Sequence, residues 1–133
     1  MREETKLWIE KAKQDVKVVE ILIAHENPPF EMVCYHCQQA AEKFLKAFLV
    51  EHEVEFQRTH DLVLLIQQYI SPIDASFSKI QEDALELSEF AVATRYPDFP
   101  LEIDRTIAEE AVIRMKRIQA FVLNKINIDP GIS

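Results

Sequence analysis

The chain has 133 residues, 48% hydrophobic and 29% charged, with a formal net charge of −8; this is one domain's worth of ordinary globular sequence, long enough to bury a core without staples. Its one glycine, Gly131, excludes a P-loop, a G-x-G-x-x-G dinucleotide turn and a G-x-S-x-G nucleophile elbow, and argues against a hairpin-rich β fold. An acidic chain repels phosphate backbones at long range, so duplex DNA is not an expected partner.

Pro28, Pro29, Pro72, Pro97, Pro100 and Pro130 fall between periodic segments. Proline lacks an N–H donor and clashes with the preceding turn, so these positions read as helix boundaries. A first helix is predicted from about Glu4 to about Ala24, with Trp8, Ala12, Val16, Val19 and Ile23 at three- and four-residue spacing. A second runs from about Phe30 to Glu51, with Phe30, Val33, Cys37, Ala41, Phe44 and Phe48 on one stripe. After a polar loop, Thr59 or Asp61 starts a short third helix whose Leu62, Leu65, Ile66 and Tyr69 share a face. Asp61 in its first turn suits the helix dipole.

Ser71-Pro72 ends that helix, and a fourth begins near Ser78, where Ser78 and Gln81 have the spacing of a capping box. Its stripe is Ile80, Ala84, Leu87 and Ala91; Glu82, Glu86 and Glu89 face water, and Arg95-Tyr96-Pro97 ends it. Thr106 and Glu109 read as a second capping box, opening a helix to about Asn127 with Ala108, Ala111, Met115, Ile118, Val122 and Ile126 inward. Long amphipathic helices with short connections predict an all-α fold: an antiparallel up-and-down four-helix bundle with one additional short helix. The expected domain is single, residues 1–133, with its core over about 4–127.

No apolar run approaches the roughly 20 residues of a membrane span, and the charged N-terminus has no apolar signal-peptide stretch. With Cys34 and Cys37 as the chain's cysteines, no disulfide framework is expected, and the reading is cytoplasmic with reduced thiols. Cys34-x-x-Cys37 lies inside a predicted helix with no strand before it, which suits small packing residues rather than a redox or zinc site. No metal or cofactor is expected.

On the second helix, Tyr35, Gln39, Glu42 and Lys46 fall opposite the core stripe, flanked by Gln38 and Lys43. Residue types alone read this as a solvated face, with Glu42 and Lys46 a favourable i,i+4 pair. His60-Asp61 reads as a cap or as an anion contact beside free backbone N–H groups. Continuing the fourth helix places Arg95 on the core side, where its guanidinium needs a carboxylate such as Asp61 or Glu42, or a ligand phosphate. Arg114, Lys116 and Arg117 are too few for a duplex-binding stripe and read as a complement to the last helix's dipole.

The run Gln38-Gln39-Ala40-Ala41-Glu42-Lys43, with Lys46-Ala47 after it, resembles the signature of HEPN-domain proteins. His60-Asp61-Leu62 resembles that family's "HDL" at the start of its third helix, and Arg95-Tyr96-Pro97 its "RYP" at the end of the fourth. The resemblance implies a four-helix bundle with a short extra helix, commonly a homodimer. It implies a nucleotide or RNA as ligand, and a minimal nucleotidyltransferase as partner, often in a toxin–antitoxin pair. On that reading the polar face of the second helix (Gln39, Glu42, Lys43, Lys46), together with His60, Asp61, Arg95 and Tyr96, forms the nucleotide or partner surface. Other branches of the family are metal-independent RNases carrying an Arg, four to six residues, then a His. No arginine here stands at that spacing from His25, His36, His52 or His60. The enzyme alternative, a divergent RNase, would need a cleft built from His60, Arg95 and Tyr96, and the balance leans away from an enzyme.

Overall fold

The computed structural model describes residues 1–93 and 102–126, and every regular element in them is helical. Helix α1 spans Glu3–Ile23 and α2 Phe30–Glu51. Helix α3 is one turn, Leu62–Leu64, which widens into a π-helical stretch, Leu65–Ile70. A 3-10 stretch, Ala75–Ile80, leads into α4, Gln81–Ser88; α5 is Phe90–Ala93 and α6 is Arg105–Lys125. None of these helices is long and apolar enough to cross a membrane.

The proline-bounded first two helices match their sequence reading to within a residue. They form an antiparallel hairpin: Arg2 and Thr5 meet Glu51, and Asp15 meets His36 and Lys43. Arg2 also donates a guanidinium hydrogen bond to the Val50 carbonyl. That contact adds a side-chain donor to a carbonyl in the last turn of α2. Helix α6 runs in the direction of α2. Arg105 lies over the Phe30 ring at the starts of both, and Phe77 bridges Phe48 and Phe121 near their ends at 4.6 and 4.9 Å. Helix α4 runs against α6, with Asp83 meeting Arg114 and Arg117.

The apolar stripes read from periodicity form a common core. Val33, Cys37, Ala41, Phe44 and Phe48 of α2 are buried together with Ile80, Ala84, Leu87 and Ala91, and with Ala108, Ala111, Met115, Ile118, Val122 and Ile126. On α1 the buried face is turned slightly from the expected stripe. Thr5, Ile9, Ala12, Asp15, Val16 and Val19 are inside, while Trp8 and Ile23 are partly exposed. The π turn after α3 brings Leu65, Ile66 and Ile70 into the core together, closed by Ser71 N–H donating to the Ile66 carbonyl at 2.7 Å.

Two capping expectations are corrected. Ser78 is already inside a helical turn, because Asp74 starts that turn earlier by accepting from Ser76 N at 3.0 Å. The Ser76 hydroxyl and Lys125 hold the Asp74 carboxyl well below its usual value, at about 2. At α6, Asp104 takes the cap that Thr106 was expected to fill; its extended backbone lets its carboxylate accept from Ile107 N at 2.9 Å. The dipole reading of Arg114, Lys116 and Arg117 is corrected too. Arg114 and Arg117 clasp the buried Asp83 at 2.9 and 3.0 Å, and Lys116 reaches Glu20 on α1 at 2.7 Å.

The segment joining α2 to α3 positions the site. Helix α2 ends in a Schellman motif: Glu53 N–H donates to Val50 O, and Val54 N–H to Leu49 O. Glu53 takes the left-handed position, with φ of 55°. In a chain without a glycine to spare, a glutamate occupies the conformation glycine fills at least cost. Phe56 then packs edge-on to Tyr69, whose hydroxyl accepts from Gln57 N at 3.1 Å.

Candidate functional site

Glu42 lies at the centre of the candidate site. Its side chain is only 6% exposed, and a carboxylate so placed must be paired. Three donors reach it: Lys46 Nζ is 3.0 Å from Oε2, while His60 Nδ1 and Gln38 Nε2 are 2.7 and 3.2 Å from Oε1. Lys46 and Gln38 come from one helical turn on either side, as the i,i+4 geometry dictates. His60 comes from the segment that follows the Schellman turn.

Lys46 is as buried as its partner, and its ammonium lies 5.8 Å from the ring centroids of both Trp8 and Phe56. Two π faces and one carboxylate stand in for the water it has lost. Gln38 Nε2 also donates to the His60 carbonyl at 3.1 Å, and Gln38 Oε1 accepts from Gln39 at 2.6 Å. His60 is thus held by its ring and by its backbone.

The polar side of the second helix is therefore not the solvated face its residue types suggest. Gln38, Glu42 and Lys46 are buried; Tyr35, Gln39 and Lys43 are partly exposed. The physical reason is the central place of α2, which packs against α1, α6, α4, α5 and the chain around α3. A helix so surrounded keeps an acid and a lysine inside only when they neutralise each other.

His60 breaks this enclosure. Its side chain is 46% exposed while its Glu42 partner is buried. Because a carboxylate only accepts, Nδ1 carries the proton of their hydrogen bond, and among the described residues Nε2 is the ring nitrogen without a partner. Asp61, next along, caps α3 by accepting from Leu64 N at 3.1 Å, and Ser88 Oγ of α4 accepts from Leu62 N at 3.0 Å. Those two contacts fix the direction in which the His60 backbone leaves the segment.

Of the expected site residues, Glu42, Lys46 and His60 come together, with Gln39 attached through Gln38. Lys43 turns away to α1, where its ammonium lies 2.6 Å from Asp15 Oδ2; His36 Nδ1 lies 2.9 Å from Oδ1 of the same acid. Arg95 and Tyr96, and with them the expected cleft of His60, Arg95 and Tyr96, lie outside the described residues. Sequence reasoning left Gln38 as a flank of the stripe and placed Trp8 in the apolar core. It had no local signal for Phe56 or Asp15, because their contacts form across long stretches of chain.

Among the described residues, no three His, Cys, Asp or Glu side chains are grouped to hold a metal ion. Cys34 and Cys37 are fully buried free thiols, packing residues as read from their helix. Burial pushes the Cys34 thiol up to about 12 and raises Cys37 as well. A cleft of about 260 Å³ between α4 and α6, ringed by Glu86, Glu89, Glu102 and Glu110, shares no residue with the Glu42 group.

Residues 5–126 match the HEPN domain family. A crystal structure of a protein from Thermus thermophilus superimposes with a TM-score of 0.80 at 25% identity, covering 93% of this chain and 99% of the other. An archaeal HEPN homologue superimposes with a TM-score of 0.74 at 24% identity, over 95% of this chain and 99% of its own, which shows a shared fold. No curated protein matches the chain.

Proposed function

The chain belongs to the HEPN domain family, and from that premise we propose that it is a dimeric binding module that takes a nucleotide at the His60 rim and pairs with a minimal nucleotidyltransferase in a toxin–antitoxin system. The observation that carries this reading is the contrast within one hydrogen bond. Glu42 is buried and fully engaged, whereas His60 holds its ring half in water. A network that served packing alone has no need to leave an imidazole at its outer end. Gln39, partly exposed on the same helix and tied to the group through Gln38, offers a further donor, and Asp61 lies beside His60 with its carboxylate capping α3. Glu42 and Lys46 act from beneath the surface rather than as ligand contacts. Arg95 and Tyr96 remain part of the proposed nucleotide or partner surface.

Co-expression with a minimal nucleotidyltransferase tests the proposal. The expected result is a complex that survives size exclusion, a dimeric mass for the isolated chain by light scattering, and nucleotide retained by the wild type but not by H60A. A monomer that forms no such complex and holds no nucleotide would overturn it.

A second reading is supported by the same pair: a carboxylate that fixes the orientation and tautomer of an imidazole is an arrangement general acid–base catalysis uses. On that reading the protein is a metal-independent RNase, with His60, Arg95 and Tyr96 at its cleft. It requires cleavage of RNA by the pure protein in chelator, lost in H60A and in R95A without loss of fold.

A further inference from the structure

We propose that His60 receives a nucleotide phosphate through Nε2 and does so only with a proton bound, Glu42 acting as the positioning residue that turns this nitrogen outward. The inference rests on the nucleotide reading above and says what part of the nucleotide is bound and what controls its binding.

Glu42 carries a buried negative charge. Lys46, 3.0 Å from Oε2, already neutralises it inside the protein. His60 Nδ1 takes the other oxygen at 2.7 Å. In the neutral ring the single proton therefore sits on Nδ1, and Nε2 presents a lone pair. A lone pair repels a phosphate oxygen. Adding one proton converts Nε2 of this half-exposed ring into a charged donor, the atom type that binds phosphate by a charge-assisted hydrogen bond. Glu42 Oε1, already bonded to Nδ1, holds the ring in place behind it. Phosphate thus binds with proton uptake, and affinity falls as pH rises.

Among the described residues, few charged groups lie on the elements packed around the ring. Helix α2 contributes Glu42 and Lys46, and the segment itself contributes Arg58 and Asp61 on either side. Helix α1 covers the lysine with the uncharged Trp8, and α4 meets the segment with the hydroxyl of Ser88. Asp61 spends one oxygen on its cap. His36 supplies an internal comparison, since its Nδ1 also rests on a buried acid, Asp15, but its side chain is 25% exposed and shares that acid with Lys43.

Isothermal titration with the four 3′,5′-cyclic nucleoside monophosphates, whose diester phosphate does not titrate near neutrality, tests the proposal; the four nucleosides serve as phosphate-free controls. The cyclic nucleotide that binds is expected to bind at least about tenfold more tightly at pH 5.5 than at pH 8.0, with uptake approaching one proton at pH 8.0 and smaller at pH 5.5. Its nucleoside should show no such dependence. H60Q, at a half-exposed ring, is expected to keep the fold and abolish the proton uptake, and H36Q to leave it unchanged. E42Q should weaken the pH dependence; H60Q carries the test where that variant fails to fold. Binding of equal strength at both pH values, or proton uptake that persists in H60Q, would overturn the proton-linked role of His60 while leaving nucleotide binding in place. No binding of any cyclic nucleotide or nucleoside at either pH would overturn both.

Discussion

Asp15 and Glu42 are two buried acids with the same pair of partner types, one lysine and one histidine each, and they are placed differently. Asp15 faces α2 from α1 and joins two long helices; its Lys43 and His36 side chains are 26% and 25% exposed. Glu42 faces the segment before α3 and joins a helix to irregular chain. Its lysine is sealed under Trp8 and Phe56, and its histidine is nearly half in water. The first group shares its exposure evenly, as a clamp between helices does. The second puts the whole of it on one imidazole. Chemistry of this kind becomes available to a ligand when a network is closed on every side but one.

The largest expected effect breaks the sealed group. E42A strands the Lys46 ammonium in the interior and should destabilise the fold by about 3–5 kcal/mol in urea unfolding. Replacing both partners, E42L with K46M, should recover most of that loss, because apolar groups of similar size fill the space without a desolvation cost. The D15N variant sharpens the contrast. Its lysine and histidine can both turn to water, so the expected loss is smaller, about 1–3 kcal/mol. Equal losses for E42A and D15N would remove the distinction between the two groups.

A third acid tests the same logic from outside the core. The Ser76 hydroxyl, then Lys125, hold the folded Asp74 carboxyl at about 2, below its ordinary value. The sign follows from that depression. Asp74 contributes stability above about pH 4, where the unfolded carboxylate is also ionised, and the contribution is lost as pH falls toward 2. Melting curves from pH 5 to pH 2 should therefore show wild type and D74N converging as the pH drops. The smallest effect concerns the turn that launches the His60 segment. E53G relieves a left-handed glutamate but loosens the unfolded chain, so a gain of at most about 1 kcal/mol is expected, with ligand binding unchanged.

Much of the fold was legible because it depends on local period. The bounds of α1 and α2, and the inward sets of α2, α4 and α6, follow from apolar spacing and proline placement. Asp61 was legible for the same reason, since a cap acts within one turn, and the Glu42–Lys46 pair followed from i,i+4 spacing. What period could not supply was the number of neighbours around each helix. A single apolar stripe on α2 implies one covered face, yet α2 is covered on nearly all sides, so Glu42 and Lys46 are inside. Nor could it supply partners far along the chain. Asp15, Asp83 and Phe56 look like ordinary helix or loop residues until folding brings Lys43, Arg114 and Lys46 to them. Ser78 and Thr106 misled for a third reason: an aspartate a few residues earlier competes for the start of each helix and wins.

The central claim is that Glu42 fixes the proton of neutral His60 on Nδ1 and leaves Nε2 facing a ligand. A long-range proton–nitrogen correlation spectrum of the histidine rings at pH 8 measures this directly. The account predicts a His60 ring protonated at Nδ1, whose Nε2 resonance moves when a bound nucleotide is added. A ring protonated at Nε2, or an Nε2 signal unmoved by a nucleotide that demonstrably binds, would contradict it.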